Sequence, residues 1–131
     1  MLEVVAAVIK RQNAYLCVQR GTHRHAYLSD KFEFPGGKME AGESQEEALI
    51  REIREELSLS IKPLRHLISV PHRYPEISLV LHAWLCEPEP GEPVLSEHKS
   101  YVWLPAAELK SLDWAAADVP VVELIEGGSA G

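Results

Sequence analysis

Apolar positions in this chain recur in two ways, and the switch between them marks the elements. From Met1 to Lys10 the apolar residues are nearly continuous, the pattern of a strand buried on both faces. Arg11-Gln12-Asn13 interrupts the run as a turn and Ala14 to Gln19 returns, so the two strands form a hairpin. A polar loop follows from Arg20 to Lys31. Phe32-Glu33-Phe34 is then a short strand feeding a glycine loop, Pro35-Gly36-Gly37-Lys38.

Beyond that loop the period changes to that of a helix. Ser44, followed by acids, is a capped start. Leu49, Ile50, Ile53 and Leu57 share one stripe at about 100° per residue, the buried face. Glu52, Glu55 and Glu56 share the flank beside it, while Glu47 and Arg54 point to water. Two strands come next, Ile61 to Ser69 and Glu76 to Glu87, joined around Pro71 to Pro75. Pro88 to Pro93 holds three prolines and reads as a stiff acidic connector. Tyr101 to Leu104 is the last strand, Pro105 starts a short helix, and Pro120 opens a C-terminal one. Strands on both sides of a long helix, with a second helix at the end, predict an α/β fold: a mixed sheet covered by helices. Residues 1–126 read as a single domain and 127–131 as a flexible tail.

Charge narrows the function. The net charge of -7 and pI near 5.3 argue against nonspecific binding to duplex nucleic acid, whose affinity comes from a basic surface. No run is long and apolar enough for a membrane span. Cys17 and Cys86 lie in apolar runs without metal spacing, as buried thiols of a cytoplasmic protein would. The acidic balance does not exclude a phosphate-bearing substrate if Mg2+ bridges the two, and a monomer or homodimer is expected.

Three carboxylates on one helix flank repel one another. Many such faces are simply solvated, but here a glycine-rich segment precedes the helix and could bring its backbone close to a ligand. Mg2+, a hard cation with oxygen ligands and retained waters, suits that combination.

The spacing Gly37, Glu43, Arg51-Glu52-Ile53, Glu55-Glu56, Leu59 resembles the Nudix box, and the order of elements is compatible with that family over nearly the whole chain. One position departs: Ser58 stands where the family usually has glycine, which eases a left-handed turn at a helix end. Serine there is expected to lower stability without touching the acids. The resemblance implies the Nudix α/β/α sandwich and hydrolysis of a nucleoside diphosphate linked to another group, with Mg2+ (or Mn2+) as cofactor. It implies Glu52, Glu55 and Glu56 as metal ligands and the Gly36 carbonyl as a further one. Arg51 then pairs with Glu43 to hold the loop against the helix. Glu97, in the loop before the last strand, resembles an acid that reaches the metal in MutT-like members; His98 beside it receives no role.

Length and the run Lys31 to Lys38 resemble the MutT branch, which cleaves nucleoside triphosphates to monophosphate and pyrophosphate. Glu97-His98 and Ala117-Asp118 resemble the branch's CTP pyrophosphohydrolases. Arg20 and Lys31 are expected to bring positive charge to the phosphates. Phe34, with Leu2 and Val4, is placed against the base, and Asp118 reads it. Taken as ionised, Asp118 accepts hydrogen bonds only, which suits the exocyclic amine of cytosine and admits an oxidised guanine such as that of 8-oxo-dGTP. An ADP-ribose pyrophosphatase, suggested by Pro75 beyond the box, and a noncatalytic nucleotide-binding module stand as alternatives.

Overall fold

The structure, a computed structural model, describes residues 1–128. Ten elements carry the site: β1 (Leu2–Arg11), β2 (Ala14–Gln19), β3 (Phe32–Glu33), β4 (Gly36–Lys38), α1 (Gln45–Leu57), β5 (Ile61–Tyr74), β6 (Ile77–Pro88), β7 (Ser100–Leu104), α2 (Val119–Glu126) and a 3₁₀ turn over Ala116–Asp118 just before α2. A second 3₁₀ turn spans Ala106–Ser111, where a short helix was expected after Pro105.

The sheet is mixed. Strand β1 runs parallel to β6 from Leu2 to Ile9, and the other pairings between these strands are antiparallel. On its other edge β1 has two partners in succession: β4 across Val4–Ala6, then β2 only at Lys10 and Arg11. Strand β2 in turn carries β3 and β7. The sheet is therefore split along β1, and between the two pairings the Ala7 amide donates to the Pro35 carbonyl at 2.7 Å.

The continuous apolar run of β1 has the predicted consequence. Val5, Ala7 and Ile9 pack with Leu49, Ile53 and Leu57 of α1, whereas Ala6 and Val8 pack with Val121, Val122 and Ile125 of α2. Alternate residues of one strand thus feed two cores. Both cysteines are free and buried, Cys17 in the α2-side core and Cys86 in the α1-side core, and burial pushes each thiol up to about 12.

Helix α1 starts as the sequence indicates, with a reciprocal cap: the Glu47 amide donates to Ser44 Oγ and the Ser44 amide to Glu47 Oε1. Glu47 is therefore a capping group and not merely a solvated acid. Ile50 is only half-buried, Ala48 taking its expected place in the core. Ser58 ends the helix at φ 52° and ψ 34°, the left-handed region where a side chain is strained.

Two expectations change. Strand β5 does not stop before Pro71; it continues through Pro71 to Tyr74, with Pro71 opposite Val80. Because β5 is an edge strand, a proline lacking an amide donor is tolerated there. Gly36 and Gly37 form strand β4, not a loop. Their need for glycine is close approach: a Cβ on Gly36 would sit 1.9 Å from the Val5 carbonyl oxygen, and one on Gly37 would sit 2.5 Å from the Glu52 carboxylate. At the C-terminus, Gly127 and Gly128 close α2 with amides donating to Glu123 and Ile125. The rest of the expected tail, 129–131, lies outside the described residues.

Candidate active site

A cleft of about 730 Å³ opens along the split in the sheet. One end is bounded by Gly36, Gly37 and Lys38 of β4, Glu56 of α1, and Glu97 and His98. The other end has apolar walls, Leu2, Val4, Phe34, Leu79 and Leu81, with Ala117 and Asp118 at its limit. Arg20 and the residues from Gly21 to His25 form the rim.

Arg51 organises the acidic end. Its Nε and Nη2 hold Glu43 at 2.6 and 2.9 Å, a bidentate pairing, and Nη2 also donates to the Lys38 carbonyl at 3.1 Å. One guanidinium thereby ties α1 both to β4 and to the segment between them. The arginine holds the Glu43 carboxyl down to about 2. Nη1 of Arg51 reaches Glu52 at 2.9 Å and Glu55 at 3.3 Å.

Glu56 differs from its two neighbours. Burial, then the negative charge of Glu52 and Glu33, then a hydrogen bond with Glu52 and the charge of Glu97, push its carboxyl up to about 8. The negative charges of Glu52, Glu33 and Glu97 all bear on Glu56, and an all-oxygen donor set of this kind matches a hard divalent cation. Among the described residues no three acid or imidazole groups converge as a preformed metal cage. Glu52 and Glu55 instead rest on Arg51, and Glu55 points largely to solvent.

At the apolar end Asp118 is 5% exposed. Its Oδ1 accepts from the Phe34 amide at 3.0 Å, while the described residues give Oδ2 no hydrogen bond. Burial first, and the nearby Glu33 carboxylate second, raise its carboxyl to about 8, against the lowering effect of the Phe34 amide and Arg20. Burial thus favours the neutral form of Asp118, which both donates and accepts, over the ionised, accept-only form expected from the sequence. Phe34 lies against Trp114, with ring centroids 4.7 Å apart. The Tyr74 hydroxyl accepts from the Ala117 amide at 3.0 Å and so braces the turn that carries Asp118.

Of the residues selected from sequence, Arg20, Phe34, Gly36, Glu56, Glu97 and Asp118 line the cleft. Glu43, Arg51, Glu52 and Glu55 are not among its lining residues. Lys31 does not join them, because its Nζ pairs with Asp113 at 2.8 Å away from the cleft. Pro75 occupies the tight turn between Tyr74 and Ile77, which accounts for a proline there on local grounds. Two residues went unselected. Glu33 accepts from Arg20 Nε at 2.8 Å and pairs with His98 Nε2 at 2.9 Å. His98 is buried between Glu33 and Glu56. Neither carries a spacing signal, since 65 residues separate them.

A profile described as the NUDIX domain matches residues 1–125. The CTP pyrophosphohydrolase of Escherichia coli (strain K12) is 36% identical over 123 residues, covering 94% of this chain and 90% of that protein. The 8-oxo-dGTP diphosphatase of the same strain is 30% identical over 121 residues, covering 92% and 93%. The solution structure of the E. coli ORF135 protein superposes with a TM-score of 0.82 at 34% identity, covering 97% of this chain and 89% of that one.

Proposed function

This chain belongs to the Nudix family of hydrolases, and from that premise we propose that it is a Mg2+-dependent nucleoside triphosphate pyrophosphohydrolase. Its products are a nucleoside monophosphate and pyrophosphate, and its substrates are cytidine nucleotides or oxidised ones such as 8-oxo-dGTP. The observation that carries this reading is the polarity of one cleft, with carboxylates at one end and an apolar slot bounded by the buried Asp118 at the other. A nucleotide has the matching polarity, with charge at one end and a flat base at the other.

At the acidic end Glu52, Glu55, Glu56, Glu97 and the Gly36 carbonyl would hold the metal. When bound, Mg2+ supplies neutralisation of phosphate oxygens and acidifies a water. The chain's own part is positional. Arg51 fixes Glu43, β4 and α1 as one unit, and Arg20, steadied by Glu33, presents positive charge at the cleft.

At the other end Phe34, Leu2 and Val4 flank the base. A neutral Asp118 offers one O–H donor and one carbonyl acceptor side by side. Cytosine matches it with N3 as acceptor and the N4 amine as donor. The oxidised edge of 8-oxoguanine matches it too, with O6 as acceptor and N7–H as donor. Unmodified guanine presents two acceptors at N7 and O6 and can satisfy only half of the pair.

The test is turnover of CTP, dCTP, 5-methyl-dCTP, 8-oxo-dGTP, dGTP and ADP-ribose with Mg2+, identifying products by mass. Pyrophosphate with a cytidine or 8-oxoguanosine monophosphate is expected, dGTP being slower. Cleavage of ADP-ribose alone would overturn the assignment. Glu55→Gln and Glu56→Gln should stay folded and lose most turnover; near-normal activity in both would remove the metal site from these residues.

A further inference from the structure

On the sheet face turned away from the apolar walls of the cleft, three strands bring together a serine, two histidines and a glutamate. Strand alternation puts them there. Leu2 and Val4 of β1 and Leu79 and Leu81 of β6 line the cleft, so Glu3 and His82 point the other way, with Val5 and Trp84 on the α1 side. Ser69 of β5 is the register partner of His82. Ser69 Oγ lies 2.7 Å from His82 Nδ1, His82 Nε2 lies 2.7 Å from Glu3 Oε1, and His66 Nε2 lies 2.8 Å from Ser69 Oγ. None of these four residues lines the cleft.

The direction of the hydrogen bonds follows from the acid at one end. An ionised Glu3 only accepts, so a neutral His82 carries its hydrogen on Nε2 and offers a lone pair at Nδ1. The Ser69 hydroxyl then donates to His82 Nδ1. Its oxygen accepts from His66 Nε2 and keeps a second lone pair free. A serine on a solvated strand can bond to water, yet this one is held between two imidazoles. Nucleophile, base and orienting acid in hydrogen-bond contact are the arrangement that activates a serine, and it is recognised by geometry and not by order in the chain.

Exposure is graded in the same sense. His82 is 8% exposed, so the base is shielded from bulk water, whereas Ser69 and His66 are open to a reagent. The exposed imidazole is also supported: the His66 ring meets the edge of Trp84 with centroids 5.9 Å apart, and Trp84 Nε1 donates to Gln45 Oε1 at 2.8 Å.

We propose that Ser69 is the nucleophile of a second, metal-independent site that hydrolyses small activated carboxylic esters, with His82 as its base, Glu3 as a positioning residue and His66 as the donor to the oxyanion. Ser69 Oγ bonds to the ester carbon while its proton passes to His82 Nδ1, and the carbonyl electron pair moves onto oxygen beside His66 Nε2–H. Collapse re-forms the carbonyl and breaks the bond to the alcohol oxygen, which takes the proton from His82. Water then repeats both steps on the acyl-serine, releasing the acid and restoring the hydroxyl.

EDTA-treated protein provides a test that is independent of nucleotide turnover. A fluorophosphonate should form an adduct at Ser69, read by intact mass and peptide mapping, and p-nitrophenyl acetate should be hydrolysed. Ser69→Ala should abolish the adduct, with melting temperature and Mg2+-dependent nucleotide turnover unchanged. His82→Gln should slow adduct formation by about 100-fold, the scale of a lost general base. In Glu3→Gln the amide donates to His82 Nε2 and draws the ring hydrogen to Nδ1, so the adduct should form at least about 10-fold more slowly. Histidine ¹⁵N spectra should report Nε2–H for His82 in the wild type and Nδ1–H in Glu3→Gln, a change that a merely structural glutamate would not produce. A wild-type protein without an adduct at Ser69 would overturn the proposal, as would wild-type labelling rates in Glu3→Gln and His82→Gln. If His82→Gln does not fold, the labelling rate of Glu3→Gln decides in the same way.

Discussion

Replacing Asp118 with asparagine separates two ways in which a buried acid could read a base. The wild-type carboxyl, raised to about 8 mainly by burial, is about nine-tenths protonated at pH 7. Asparagine reproduces that state permanently: its carbonyl can accept the Phe34 amide and its NH2 can donate where the O–H did. Asp118→Asn should therefore retain kcat/KM within a few-fold at pH 7, while Asp118→Ala loses about 10- to 100-fold, the range of a two-point base contact. Above pH 8 the wild type should lose base recognition as the donor ionises, and Asp118→Asn should not. Glu56 titrates in the same region, but it does so in both proteins, so the difference between their profiles reports Asp118.

Stability supplies an independent readout of the same proton. The unfolded aspartate releases it near its ordinary value of 3.8, whereas the native one holds it to about 8. Between those values the native state binds the extra proton, so stability is full below about pH 4 and declines as pH rises through 8. One pH unit in that window corresponds to about 1.4 kcal/mol, or about 3 kcal/mol between pH 5 and 7 as an order of magnitude. Urea titrations should show wild type losing that increment relative to Asp118→Asn. Equal pH dependence of the two stabilities, together with an Asp118→Asn enzyme as defective as Asp118→Ala, would refute the neutral-acid reasoning and restore an ionised Asp118.

The remaining predictions follow from local geometry. Mg2+ binding must displace the proton that Glu56 holds to about 8, so calorimetry in buffers of different ionisation heat should detect proton release and an affinity that rises from pH 6 to 8. Ser58→Gly should stabilise the fold by about 1 kcal/mol in chemical denaturation by relieving the left-handed φ of 52°, with kcat unchanged. Gly37→Ala should weaken Mg2+ binding more than it lowers Tm, because its Cβ meets the movable Glu52 carboxylate; Gly36→Ala should unfold the protein, because its Cβ meets the fixed Val5 carbonyl. Arg51→Lys should lower Tm and speed proteolysis between Lys38 and Ser44, since lysine cannot reproduce the forked contact to Glu43.

Features written in short-range pattern were legible from the sequence. The run of β1, the cap at Ser44, the acid flank of α1 and the strained end at Ser58 each follow from spacings of one to four residues. Gly36 and Gly37 were recognised as a requirement for glycine but with the wrong cause. A turn and a close approach give the same letters, and only the position of Val5 and Glu52 tells them apart. Pro71 failed similarly, because whether a proline ends a strand depends on which edge of the sheet the strand occupies. Asp118 lines the cleft as expected, but the burial that raises its carboxyl was not legible, since desolvation belongs to the folded environment and not to the residue. The pairing of Glu33 with His98 left no signal because it joins β3 to the segment before β7.

The split along β1 explains why the site needs both faces of the sheet. The acids project from α1, whose core is shared with Val5, Ala7 and Ile9, whereas Phe34, Leu79, Leu81 and Ala117 belong to the core shared with α2. An unbroken sheet would keep these two sets of residues apart. Here β1 pairs first with β4, whose Gly36 and Gly37 present no side chain to close the gap, and reaches β2 only at Lys10 and Arg11. One cleft can then reach Glu56 on one side and Asp118 on the other. Gly36 seals β4 against the Val5 carbonyl, while Gly37, the register partner of Val5, faces Glu52, so the seam and the acidic end are coupled through Gly37. That coupling is why Gly37→Ala is expected to appear first in metal binding and only second in stability.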